Sequence, residues 1–444
     1  MGNVLDVVDQ AAFDIAQLTG ATTELQCVWV YSHPVDFEGL QRFHDHLRRG
    51  RLSRCIERSP LRIGRHRWIS AGRSSELEIA PGQPRAEFDA WLWKQARTPL
   101  DVERGPGWHL AVMPFTDGGA GVSLVVSHSL IDGVGLCEAL ADAALGREDP
   151  ISWPAAGSRG WWQAWREDAR QAARDIRAIG PGVAAALRVA RHGRGGTKAA
   201  ASRAAKPLEL PAGADEFIGL PTATIFVPAD EWEARARALG GTSNALLVGL
   251  AARLGQRAGR ITADGSITVG MPVSERVAGD TRANALGDVI VAVDPAPATT
   301  DLQGIRAAVR QALTSRDMRD DERAAMSIVP LLALVPKQLL LKAGRGGGGA
   351  VGAVSSNVGV VNPAAGRVDG TDADTFAMTL LNSHVPTAML DRFGGRLFLL
   401  SGQAQGHVFV SVTGYQPGRP NSKEDLRRDL VSALNEFSLT GTRQ

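Results

Sequence analysis

The residues with the clearest capacity for chemistry are His128, Asp132 and Gly133, in the run Ser127-His128-Ser129-Leu130-Ile131-Asp132-Gly133. An imidazole titrates nearer neutrality than any other ordinary side chain, so a rigidly held histidine suits proton abstraction at physiological pH. Six residues are a short pattern, and their weight comes from their setting. The stretch Val122 to Ser127 ahead of the histidine is apolar and rich in β-branched residues, which predicts a buried strand. Behind it, Leu136, Ala139 and Leu140 have helical spacing. A strand end delivers a base to a cleft with little freedom of movement, and Gly133 permits a tight turn into the helix. Asp132 stands where a helix N-cap is expected. The competing readings are a hydrogen-bonded structural histidine at 128 and a cap without further duty at 132.

Other catalytic signatures are missing. There is no Gly-x-Ser-x-Gly nucleophile elbow and no His-Glu-x-x-His. His44 and His46 are two apart on a predicted helix and therefore on different faces. The glycine run Gly344 to Gly349 lacks the Lys-Ser/Thr ending of a phosphate-binding loop and reads as a plain loop. Cys27, Cys55 and Cys137 are scattered without a Cys-x-x-Cys, so neither a disulfide framework nor a structural zinc site is expected, and a reducing compartment is the default. No bound cofactor and no metal is implied.

The elements that must position the motif read as alternating strands and helices in two halves. The chain has 444 residues, 44% hydrophobic and 22% charged, which fits a globular protein of two or three units with a sizeable core. Strands are predicted at Leu25 to Ser32, around Trp68-Ile69, at Trp108 to Phe115 and at Val122 to Ser127, with Asp117-Gly118-Gly119 as the turn between the last two. Helices are predicted at Asp36 to Arg49, with Phe37, Leu40, Phe43 and Leu47 on one face, and at Phe88 to Gln95. From Ile176 to Leu208 there is no acidic residue but seven or more basic ones, which marks a linker. It is either a solvated connector or a docking strip for a phosphate-bearing cofactor or an acidic carrier domain. The pattern then restarts. Strands are expected at Thr222 to Val227, Ser266 to Pro272 and, as a fully apolar strand, Val289 to Val293. A strand through AVGAVSSNVG, a pair at Arg396 to Ser401 and His407 to Thr413, and a final helix near Ser422 to Phe437 complete it.

Forty-nine basic residues against 47 acidic give a net charge of +2, so no nucleic-acid partner is expected. The first ten residues lack the basic and apolar regions of a secretory signal. The most apolar stretch, Ile328 to Leu341, is interrupted by Pro330, Pro336 and Lys337. It reads either as a buried helix or as an interfacial, lipid-facing one. A cytoplasmic location, with peripheral membrane association as the alternative, and a monomeric state are the working expectations.

The motif resembles that of the HxxxDG acyltransferases, which include condensation domains of peptide synthetases and polyketide-associated acyltransferases. Within them the chain most resembles the bacterial wax ester synthase/diacylglycerol acyltransferase family. Val8-Asp9-Gln10 with Phe13 is similar to that family's opening, and Thr98 to Asp101 to the segment ahead of its histidine motif. Ser243-Asn244 resembles its asparagine-aspartate element, VGMPVSER ending at Arg276 its PVSxR strand end, and Ser356-Asn357-Val358 its SNV element. There are departures. Ser127 replaces the first of two motif histidines, Ala245 replaces the aspartate of the asparagine-aspartate element, and Gly359-Val360 replaces the family's PGP. These bear on substrate more than on reaction type.

The resemblance implies an α/β fold of two chloramphenicol-acetyltransferase-like subdomains, each a mixed sheet with helices, forming a V with a central tunnel. Residues 1–175 would be the N-terminal subdomain, 176–215 the linker and 216–444 the C-terminal subdomain. It implies His128 as general base and an Asp132–Arg276 ion pair that holds the motif. The co-substrate would be acyl-CoA or an acyl-carrier protein, and the acceptor an alcohol, giving an ester. Amide formation on a natural-product intermediate, with an amine acceptor, and a non-catalytic carrier-protein-binding module are the alternatives. For the oxyanion, the backbone N–H near Gly133 is the first candidate donor. Ser356 or Asn357 would add a side-chain donor, against a bland role in capping a turn, and Asn244 joins them as a candidate substrate-binding residue.

Overall fold

The computed structural model describes residues 3–61, 64–73, 75–147, 152–174, 216–277, 279–314 and 351–442. The basic linker, the stretch Ile328 to Leu341 and the glycine run Gly344 to Gly349 lie outside the described residues.

In chain order the strands are β1 (Glu24–Tyr31), β2 (Arg54–Glu57), β3 (Arg67–Ser70), β4 (Glu78–Ile79), β5 (Trp108–Pro114), β6 (Ala120–Ser127), β7 (Phe217–Ile218), β8 (Thr222–Pro228), β9 (Ile267–Ser274), β10 (Leu286–Val293), β11 (Ala353–Val360), β12 (Thr375–Leu381), β13 (Val385–Pro386), β14 (Arg396–Ala404) and β15 (His407–Tyr415). A five-stranded sheet runs β12-β1-β6-β5-β4, and a six-stranded sheet runs β10-β9-β11-β14-β15-β8. β2 with β3 and β7 with β13 form two small ribbons.

The first sheet is built around β1, which is buried along its whole length because both of its faces are covered. Its alternation sends Leu25, Cys27, Trp29 and Tyr31 into the larger core, and Val28 and Val30 against Phe88, Trp91 and Phe115 on the other side. The helix Phe37–Leu47, capped by the Asp36 carboxylate, lays Leu40, Phe43 and Leu47 on the larger core. Phe37 is 41% exposed, unlike the other three. At roughly 100° per residue it falls at the margin of the stripe they define.

β12 is the longest of the strands the sequence reading missed, the others being the short β2, β4, β7 and β13. It pairs antiparallel with β1, from Glu24 opposite Leu381 to Val30 opposite Thr375, so the C-terminal part of the chain supplies an edge of the first sheet.

In the second sheet, Ile225, Val227, Val269, Leu397, Leu399, Val410 and Val412 face a core covered by the helices Ser243–Arg257, Gln303–Thr314 and Lys423–Glu436. Its other face carries Phe226, Phe398, Leu400 and Phe409, which pack into the core of the first sheet. Phe376 of β12 meets Phe409 edge to face at 5.9 Å. The two sheets are therefore joined by apolar contact, and the chain of the second sheet lends β12 to the first.

β10 carries the expected apolar run Val289 to Val293. It is the edge of its sheet, and burial alternates: Val289, Val291 and Val293 are covered while Ile290 is 53% exposed. An edge strand with one covered face alternates whatever its composition. Among the described residues no helix is long and apolar enough to cross a membrane.

Candidate active site

His128 follows β6 directly. Glu24 pairs with Ser127 across the sheet, and the His128 N–H donates to the Thr23 carbonyl at 3.0 Å. The Ser127 N–H donates to Gly107 O and the Leu130 N–H to Ser127 O, each at 3.0 Å, so the chain turns sharply just after the sheet. The Asn284 side chain donates to the His128 carbonyl oxygen at 3.2 Å. The imidazole is half-buried. Burial pushes its pKa below the usual imidazole value. Hydrogen bonding to its own carbonyl, the Asp132 charge and the Asn284 side chain work the other way, and the Arg396 charge adds to the lowering.

Asp132 is wholly withdrawn from solvent, and both of its oxygens are bonded. Its Oδ1 accepts from Gly135 N at 2.7 Å, capping the helix Gly133–Ala144. Its Oδ2 accepts from Arg276 Nη2 at 2.6 Å and from Ala285 N at 2.9 Å. The Arg276 side chain is 3% exposed and donates further to the carbonyls of Arg282 at 3.2 Å and Ala283 at 3.0 Å. The pair ties the motif helix to the loop between β9 and β10, and the carboxylate is turned into the fold, away from solvent.

That loop is gripped at more points than the sequence disclosed. Asp9, 1% exposed, accepts from Ala283 N at 2.9 Å and from Asn284 N and Nδ2 at 2.8 and 3.2 Å. Burial raises the Asp9 pKa against these bonds. Arg54 lies over the Trp68 ring at 4.1 Å and donates to Thr281 O at 2.6 Å and to Leu130 O. Gly135 is the position where a side chain would not fit: a Cβ there would sit 2.9 Å from the Arg276 guanidinium carbon. Asp9 carried a signal only as part of an opening motif, Gly135 only as a second glycine after Gly133, and Arg54 and Asn284 none.

Gly133 is the first residue of its helix, where backbone N–H groups have no partner within the helix. A Cβ on Gly133 would lie 2.9 Å from Val358 Cγ1, so the end of β11 abuts the motif. Parallel pairing sets Val354 beside Phe398 and Ser356 beside Leu400. Alternation thus turns Ser356 toward the first sheet and Asn357 toward the helix side. Asn357 Nδ2 donates to Asn244 Oδ1 at 2.6 Å, and Asn357 Oδ1 accepts from Gly359 N at 2.8 Å. The structure brings these two asparagines together, engaged with each other and with a turn. Asn244 lies at the start of the helix Ser243–Arg257, capped by Thr242. Ser127, in the place of the first motif histidine, accepts from Ser129 N at 3.4 Å.

The three cysteines are buried, and burial pushes Cys55 up to about 11 and Cys137 to about 12, which makes them poor nucleophiles. A concavity of about 470 Å³ lined by Arg48, Arg49, Arg73 and Trp108 does not include His128.

No protein-family model matches the chain, and no curated protein is significantly similar to it in sequence. Solved structures are similar over its full length. The first condensation domain of the CDA synthetase superposes with a TM-score of 0.57 at 14% identity, covering 100% of this chain and 98% of that one. The wax ester synthase/diacylglycerol acyltransferase from Marinobacter aquaeolei VT8 gives 0.54 at 16% identity, with 98% of each chain covered. Polyketide synthase associated protein 5 from Mycobacterium tuberculosis gives 0.56 at 14%, again with 98% of each. At such identities the likeness is one of fold: the chain has the α/β architecture of the condensation-domain and wax ester synthase folds, with two chloramphenicol-acetyltransferase-like subdomains, each a mixed sheet with helices.

Proposed function

We propose that the protein is an acyltransferase that moves an acyl group from a thioester, of CoA or of a carrier protein, to an alcohol, with His128 as general base. The observation that carries this reading is the state of one imidazole. It is half-buried at a strand end, pushed toward its neutral form, and braced through Asn284 and the Asp132–Arg276 pair. The full-length likeness of fold to a condensation domain and a wax ester synthase supports the same class of chemistry.

The His128 imidazole takes the acceptor's hydroxyl proton as the oxygen attacks the thioester carbonyl. Base catalysis of this kind is worth roughly 10²–10⁴-fold. The carbonyl oxygen becomes an oxyanion, which the free N–H groups at the start of the Gly133 helix are suited to meet. On collapse the carbon–sulfur bond breaks, the carbon–oxygen bond remains, and the imidazolium returns its proton to the thiolate. No acyl-enzyme is needed, which agrees with buried cysteines of raised pKa. Asp132 positions the motif and does not touch substrate.

The test is release of free thiol from acyl-CoA of graded chain length and from acyl-carrier protein, with and without a panel of alcohols and amines. Release that depends on an alcohol supports the proposal, and release that depends only on amines moves it to amide formation. Acceptor-independent release makes the protein a hydrolase, and no release from either donor leaves a binding module.

A further inference from the structure

Arg396 opens β14, opposite Tyr415 of β15. Along β14, Leu397 and Leu399 enter the core beneath the helices, whereas Phe398 and Leu400 join the core of the first sheet. Arg396 shares the parity of the latter pair and so faces the space between the two sheets. Its guanidinium carbon is 5.9 Å from the centre of the Phe398 ring. Its Nε is withdrawn from solvent and has no hydrogen-bond partner.

The other enclosed arginines are answered. Arg276 has Asp132, Arg67 and Arg159 share Asp168, Arg54 has the carbonyls of Leu130 and Thr281, and Arg260 has those of Gly352, Gly394 and Tyr415. Among the described residues the Arg396 side chain makes no ion pair and no hydrogen bond. Burial lowers its pKa with no carboxylate to oppose it. Its charge is nevertheless felt at His128. Arg396 is half-buried with no counter-charge, only its Nε is enclosed, and the planar fork of a guanidinium matches a carboxylate.

We propose that Arg396 receives a carboxylate carried by one of the two substrates, either on the acceptor or at the far end of the acyl chain. The inference rests on the reading of His128 as the base. The phosphates of a pantetheine donor are not the group in question, because they lie the whole length of that arm from the thioester carbonyl.

The experiment compares acids with uncharged isosteres in two arms. In the first, 3-hydroxybutyrate and its methyl ester are acceptors for hexanoyl-CoA. In the second, glutaryl-CoA and hexanoyl-CoA are donors to a neutral alcohol. Wild type is expected to prefer the acid in one arm, which identifies the source. In Arg396→Met the ratio of kcat/KM for acid over isostere is expected to fall roughly ten- to hundredfold, and Arg396→Lys to keep part of it. No acid preference in either arm, or a ratio unchanged in Arg396→Met, overturns the inference.

If no pair turns over, the reading of His128 has failed and calorimetric binding of glutarate and 3-hydroxybutyrate decides alone. Binding of either probe to wild type and His128→Ala but not to Arg396→Met supports the carboxylate site. No binding to wild type, or binding that survives Arg396→Met, overturns it. Thermal melts of both Arg396 variants separate loss of the site from loss of the fold.

Discussion

His128 stays neutral further into acid than a free imidazole, because burial disfavours its charged form and the Arg396 charge adds to that. A neutral imidazole is the competent base. The acid limb of kcat/KM is therefore expected to inflect below about 6.5, the ordinary histidine value, with a plateau above it. In Arg396→Met the inflection should move up, since one lowering influence is gone, and a pH–rate profile of both proteins reads this. The effect on stability has the same direction. Below about 6.5 the unfolded chain protonates this histidine while the native state resists, so the native state loses stability as pH falls from there toward the depressed pKa. The cysteines permit a thiol-based assay. Buried and raised in pKa, they are expected to be silent to a disulfide reagent in the native protein, and all 3 should titrate after denaturation.

At the scale of elements, the Asp132–Arg276 pair joins the motif helix to the β9–β10 loop in a place without water. Breaking a buried pair from one side strands a charge, so Asp132→Ala or Arg276→Met should each cost roughly 3–5 kcal/mol in denaturant unfolding. The double variant is expected to cost less than the sum, which a double-mutant cycle measures. Gly135→Ala presses a methyl group toward the Arg276 guanidinium and should cost about 1–3 kcal/mol by overpacking, visible as a lowered Tm. These elements also mark what was legible. His128, Asp132 and Gly133 could be read because a strand end, a base and a cap are packed into seven consecutive residues. Arg276 was reached through a motif resemblance. Asn284 and Asp9 act on each other across 275 positions, and Asn284 reaches His128 across 156, so no local pattern announces them. Arg396 reads in sequence as an ordinary strand-end arginine, and only the sheet register turns it inward.

For the molecule as a whole, the two lobes are not independent beads. Most strands and helices were legible within a few residues from periodicity and turn chemistry. β12 was not, because seven apolar-leaning residues gain a strand's identity only by pairing with β1, over 340 positions earlier in the chain. β12 belongs to the first sheet, and its Phe376 touches Trp29 of that sheet and Phe409 of the second. Phe376→Ala should therefore cost roughly 3–5 kcal/mol. The loss should appear in a single unfolding transition followed by fluorescence and by circular dichroism together. Two separated transitions would mean that the lobes fold apart.

The most direct test of the central claim is acceptor-dependent thiol release by His128→Ala beside wild type, with the melting temperature of both recorded. Release is expected to fall by roughly 10²–10⁴-fold while the melting temperature stays within a few degrees, since no ladder or ion pair in the fold passes through the ring. Undiminished release from a folded His128→Ala protein would contradict the account.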